Sequence, residues 1–94
     1  FIPNAFTPND DGVNDRFNVS GNDFVALVET MQIFDRWGNQ VCSLENVDPR
    51  NPDDGWDGKV NEKDLNPGVY VYCLRILFTD GSIENRCGDI TLLR

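Results

Sequence analysis

Apolar and polar residues alternate in short runs along most of this chain, and clusters of Gly, Pro, Asn and Asp interrupt them. The runs are rich in β-branched and aromatic residues, a pattern that suits half-buried strands. It predicts strands over 1–6, 16–20, 30–35, 39–44, 69–78 and 83–93. Between 23 and 31 the period is ambiguous. Asn22 or Asp23 would cap a helix, but the stretch lacks an apolar stripe and ends in β-branched residues, so it reads as a short turn of helix or a strand.

Turn chemistry joins the runs. Arg36-Trp37-Gly38-Asn39 supplies residues that tolerate positive φ between two strands, as a hairpin turn requires. Asn66-Pro67-Gly68 places Pro and Gly where a type II turn wants them, launching Val69-Tyr70-Val71-Tyr72. Thr79-Asp80-Gly81 closes the last hairpin. If that loop has three residues with Gly81 left-handed, Phe78 faces Ser82 and Cys73 lies opposite Cys87. Opposed Cα atoms then sit roughly 4.5–5.5 Å apart, within disulfide reach. A two-residue Asp80-Gly81 turn would instead oppose Cys73 to Gly88. The three-residue register puts Tyr70, Tyr72, Leu74, Ile76, Phe78, Ile90 and Leu92 on one core face and the cysteines on the other, with Cys42 left over. Hairpins without a long helix predict an all-β, antiparallel immunoglobulin-like β-sandwich.

Composition narrows the function classes. Ninety-four residues suit one domain with a thin core. Eight Lys+Arg against sixteen Asp+Glu leave a net charge of -8, which repels phosphate backbones and anionic membranes, so nucleic acid is not an expected partner. No apolar run is long enough for a bilayer, so no direct membrane insertion is expected. Phe1 stands where a start Met would, and no leader pattern is present, so the chain reads as a segment of a larger protein. With no histidine, a serine or cysteine nucleophile lacks its usual base, and no catalysis is expected.

Two acidic loops invite other chemistry. On a calcium-loop template, Thr7, Asn9, Asp11, the Val13 carbonyl and Asp15 fall at ligand positions, but Asn18 stands where a bidentate Glu belongs. An Asx-rich turn accounts for the same residues more simply. No cofactor is required, and a structural calcium is the one candidate. Phe6 and Phe17 would plug the ends of this loop into the core. In Trp56-Asp57-Gly58, Trp56 either forms a sugar-stacking platform or fills the core edge while Asp57 pairs with an arginine such as Arg36; the second is the preferred reading.

The motifs "IPNAFTPNDDGVNDRF", "IFDRWGNQV", "GWDG", "NPGVYVY" and "GDITLLR", in that order, resemble the gliding-motility-associated C-terminal domain, the type B sorting domain of the type IX secretion system. Where such domains carry Asn-Gly-Asp-Gly, this chain has Asn9-Asp10-Asp11-Gly12, and Cys73 and Cys87 are its own addition. The resemblance implies a domain at the end of a large secreted or surface protein, often an adhesin. Exported to the periplasm, it would be read by the type IX translocon with a PorP/SprF-like outer-membrane partner, and its protein would reach the cell surface or exterior. The isolated domain is expected to be a monomer. Candidate recognition residues are the turn Arg36, Trp37 and Gly38 and the chain end Leu92, Leu93 and Arg94, offered as a docking patch or by strand addition. A calcium-dependent or carbohydrate-binding adhesive module and a plain spacer are the competing classes.

Overall fold

The computed structural model describes residues 2, 4–8, 16–19, 24–51, 54–60 and 63–93. Its strands are β1 (Ala5–Phe6), β2 (Val25–Phe34), β3 (Gln40–Val47), β4 (Lys59–Val60), β5 (Lys63–Asp64), β6 (Gly68–Phe78) and β7 (Ile83–Leu92). None of the described residues is helical. Five strands form one sheet in the order β1-β7-β6-β2-β3, and β4 pairs with β5 in a small hairpin. Phe17 bridges Trp56 through two backbone hydrogen bonds of 2.8 and 3.0 Å. The chain is thus an all-β, immunoglobulin-like sandwich. One departure from antiparallel pairing is β1, which runs parallel to β7 with Ala5 opposite Thr91 and Phe6 opposite Leu92.

The register of β6 and β7 follows from their turn. Gly81 adopts φ 88°, which a glycine reaches at no steric cost, and its N–H donates to the Phe78 carbonyl while the Phe78 N–H donates to Ser82. Cys73 therefore faces Cys87 and Tyr70 faces Ile90. Cys73 and Cys87 are joined in a disulfide with Cα atoms 4.1 Å apart, on the face of the sheet away from the core. The core face buries Tyr70, Leu74, Ile76, Ile90 and Leu92, with Tyr72 and Phe78 packed at its margin. Tyr72 covers Gly88, where an added Cβ would come within 2.6 Å of the phenol oxygen.

β2 resolves the ambiguous stretch as strand. Its pairing with β6 shifts between Val25 and Leu27 and again between Val28 and Thr30. Each irregularity turns the next inward side chain one position later, so Val25, Val28 and Met31 are buried at intervals of three. Bulges, not a helix, produce that spacing. β3 runs farther than the expected 39–44 and carries Asn46 at φ 54°, a conformation asparagine tolerates. Of the strand expected over 1–6, Ala5–Phe6 is in a ladder, and of 16–20 the described residues contribute the Phe17 bridge alone.

An aromatic cluster joins the layers. Trp56 lies 5.3 Å from Phe6 and 5.4 Å from Tyr70, and Phe17 lies 5.3 Å from Tyr72, between ring centroids. Pairs of this kind contribute about 0.5–1.5 kcal/mol each beyond the area they bury. Gly55, at φ 108°, lets the backbone pass so close to the Phe17 carbonyl that a Cβ would collide with it. Asn18 and Arg50 then tie the connecting loop down, Asn18 donating to the Asp48 carbonyl and Arg50 to those of Val25 and Ala26.

The disulfide spans a sequence separation of 14 residues, for which loop-closure entropy gives about 3 kcal/mol. Replacing both Cys73 and Cys87 by serine should lower unfolding stability in urea by about that amount, and dithiothreitol should reproduce the loss in the unmutated protein. Coincident unfolding curves would show that the bridge contributes nothing to stability.

Candidate functional site

The β2–β3 connection is built around one carboxylate. Asp35 Oδ1 accepts hydrogen bonds from the backbone N–H groups of Trp37 and Asn39, each 2.9 Å, and Oδ2 accepts one from Asn39 Nδ2 at 3.1 Å. Gly38, at φ 85°, lets the chain reverse, and its N–H donates to the Asp35 carbonyl. Such a turn presents its middle residues outward. Trp37 is 79% exposed, and the Arg36 guanidinium sits 5.9 Å from the centre of its ring.

β6 begins beside this turn, because Phe34 pairs with Val71 and Gly68 pairs with Leu92. Asp35–Trp37 and Leu65–Tyr70 thereby enclose a groove of about 260 Å³ at one end of the sheet. Exposed apolar side chains mark this end of the sheet, Trp37 and Val69 (49%) lining the groove and Leu93 (45%) just past the end of β7. Phe24 and Ile83, also exposed, lie by the β6–β7 turn at the opposite end. The structure therefore brings the two predicted recognition segments to one end of the sheet. Pro67 and Val69, not predicted as site residues, supply part of the groove wall. The last hairpin alone does not bring Val69 near Trp37; the β2–β6 register, with Phe34 opposite Val71, does.

Other predicted site residues fall differently. Leu92 is fully buried, so its side chain belongs to the core and cannot dock a partner. Nor is the end of β7 an open edge, since Thr91 N–H donates to the Asn4 carbonyl at 3.0 Å and Leu93 N–H to that of Phe6 at 2.9 Å. Arg94 lies outside the described residues, as do Asn9, Asp11, Val13 and Asp15 of the calcium template; of that template Thr7 alone is described, partly buried. No three His, Cys, Asp or Glu side chains converge as a metal cluster among the described residues.

Trp56 is 1% exposed and donates from its indole N–H to the Lys59 carbonyl at 3.2 Å. With Phe6 and Tyr70 against it, no ring face is open for a sugar. Asp57 accepts from the Lys59 backbone N–H at 3.1 Å, and the pairing expected with Arg36 does not form, because Arg36 lies against Trp37 at the groove. The Gly58 carbonyl accepts from Leu65 N–H at 3.0 Å, which holds the loop against the start of β6. Cys42 faces the core side beside Ile33, opposite to the disulfide, so thiol exchange between them has no path through the folded sheet. Burial, with the Asp57 carboxylate nearby, pushes its thiol up to about 11.

Comparison with known proteins bears on what this surface is for. The family model of the CHU_C type IX secretion signal domain matches residues 1–92. The chain belongs to this family. A type IX secretion signal domain is a sorting signal, which accords with motifs that run the length of the chain. Among solved structures the chain is similar to CopC from Methylosinus trichosporium OB3b, with 20% identity, 82% of this chain and 70% of that one covered, and a TM-score of 0.47. No curated protein matches it.

Two turns of this secretion signal domain depend on ionised aspartates. At Asp35 desolvation pushes the carboxyl up, but the hydrogen bonds from Asn39, Trp37 and Gly38 outweigh it and hold the group below its ordinary 3.8. Asp80 is held down by the Ser82 hydroxyl at 2.6 Å and the Ser82 N–H at 2.8 Å. A depressed folded-state pKa gives stability that is fully present above the unfolded value and is lost as pH falls through the folded one. Thermal melting should therefore drop as pH falls below about 4, and Asp35→Ala should melt lower at neutral pH with a shallower acid decline. An Asp35→Ala profile parallel to the unmutated one would remove Asp35 from the acid response.

Proposed function

We propose that this domain is a non-catalytic address, carried at the C-terminal end of a larger secreted or cell-surface protein and read after export to the periplasm. The type IX translocon, acting with a PorP/SprF-like outer-membrane protein, then passes the whole protein to the surface or exterior. The observation that carries this reading is the family match over residues 1–92. The groove end offers the means. Trp37 and Arg36 stand on a turn already locked by the three Asp35 side-chain bonds, so docking there costs little ordering entropy. Tryptophan and arginine are also the residues most enriched where binding energy concentrates. The domain acts as a monomer, one copy for each protein exported. An adhesive, sugar-binding reading would need an open aromatic platform at Trp56, and that ring is enclosed.

The test is an export assay. A fluorescent protein directed to the periplasm and followed by residues 1–94 should appear outside a host with a working type IX system and stay inside a translocon-deficient strain. Trp37→Ala should reduce export severalfold without changing the melting temperature, since the side chain is exposed. Retention of the intact, folded fusion in both hosts would overturn the address reading.

A further inference from the structure

Among the described cations, Arg16, Arg36, Lys59 and Lys63 have no described carboxylate within ion-pair distance, and of these Arg36 alone lines the groove beside Trp37. Arg50, Arg75 and Arg86 each lie against a carboxylate, at 3.5, 2.9 and 2.8 Å. Arg36 has no carboxylate partner among the described residues; it lies by the Trp37 ring and reaches toward Gly68, inside the groove. Among the described residues that line that groove the one carboxylate is Asp35, which already accepts three hydrogen bonds from its own turn. A guanidinium in this position has its planar fork free for an incoming carboxylate.

The groove also offers main chain. Cys73 and Cys87, with Cα atoms 4.1 Å apart, form a closely spaced antiparallel pair, and residues of such pairs direct their N–H and C=O groups away from each other. Cys73, Val71 and Val69 therefore turn theirs toward β2. Cys73 meets Gln32 and Val71 meets Phe34, but β2 ends there and no β2 residue stands opposite Val69. Its backbone donor and acceptor face the groove, where an extended peptide can pair with them as a strand edge does. A cation, an exposed indole and an open backbone pair thus adjoin in one cleft.

We infer that the groove between the Arg36-Trp37 turn and the Pro67-Val69 wall binds an extended protein segment bearing a single carboxylate next to an apolar side chain. Arg36 takes the carboxylate, Trp37 and Pro67 cover the apolar group, and Val69 pairs with the segment's backbone. The net charge of -8 repels a strongly acidic stretch, so one acid is favoured over several. The inference rests on the docking reading of this end of the domain and specifies the partner's chemistry.

Phage display of a randomised short-peptide library against the immobilised domain tests it. Enriched peptides should carry one Asp or Glu beside an apolar residue and shift the Val69 amide and Trp37 indole signals in NMR spectra. Arg36→Gln should weaken them roughly tenfold or more at an unchanged melting temperature, and Arg36→Glu should redirect selection toward basic peptides. Absence of enrichment, enrichment indifferent to Arg36→Gln, or stronger displacement of the same signals by oligogalacturonate, an acidic glycan, would overturn the inference. Selection of acidic peptides by a domain whose fusion is not exported would sink the address reading and keep this one; export without selection would do the reverse.

Discussion

The turn Thr79–Asp80–Gly81 decides the parity of every side chain in β6 and β7, the two central partners of the sheet. With Gly81 left-handed the loop spans three residues, and Leu77 faces Ile83. One residue fewer would send the tyrosines of β6 and Ile90 of β7 to opposite faces, because side chains alternate with a period of two. The disulfide then locks the parity covalently from the outer face, while Tyr72 over Gly88 occupies the inner one. The aromatic cluster that joins the layers is organised around Tyr70 and Tyr72, so the second layer depends on the same register. So does the groove, since Val69 opens into it only while Val71 is matched to Phe34.

This dependence explains what could be read from the amino acids alone. The last hairpin was legible because its turn residues, alternation and cysteines are local signals that agree. β2 was obscure because its bulges give Val25, Val28 and Met31 a spacing that alternation cannot produce. The parallel pairing of β1 with β7 joins residues far apart in sequence, and two residues leave no periodicity to detect. β4 and β5 are equally short and largely polar.

The candidate site divides in the same way. Trp37 stands out because a tryptophan in a tight turn has little to pack against, and Trp56 because a Gly-flanked tryptophan fits a crowded loop. Leu92, one of the chain-end residues expected in recognition, follows its parity into the core, and the burial of its side chain leaves only its backbone to be considered. Charge alone suggests an arginine such as Arg36 as a partner for Asp57, whereas Asp57 accepts from the Lys59 backbone. The groove wall was beyond reach, since it exists only where the end of one strand meets the beginning of another.

The parallel placement of β1 beside β7 has a mechanical side. Tension entering the chain before Asn4 and leaving after Leu93 pulls these two strands in opposite directions along their own axes. The bonds from Thr91 to Asn4 and from Leu93 to Phe6 lie across that axis and share the load in shear, where an antiparallel hairpin pulled from its ends would open one bond at a time. A domain joined this way resists being drawn out by its ends.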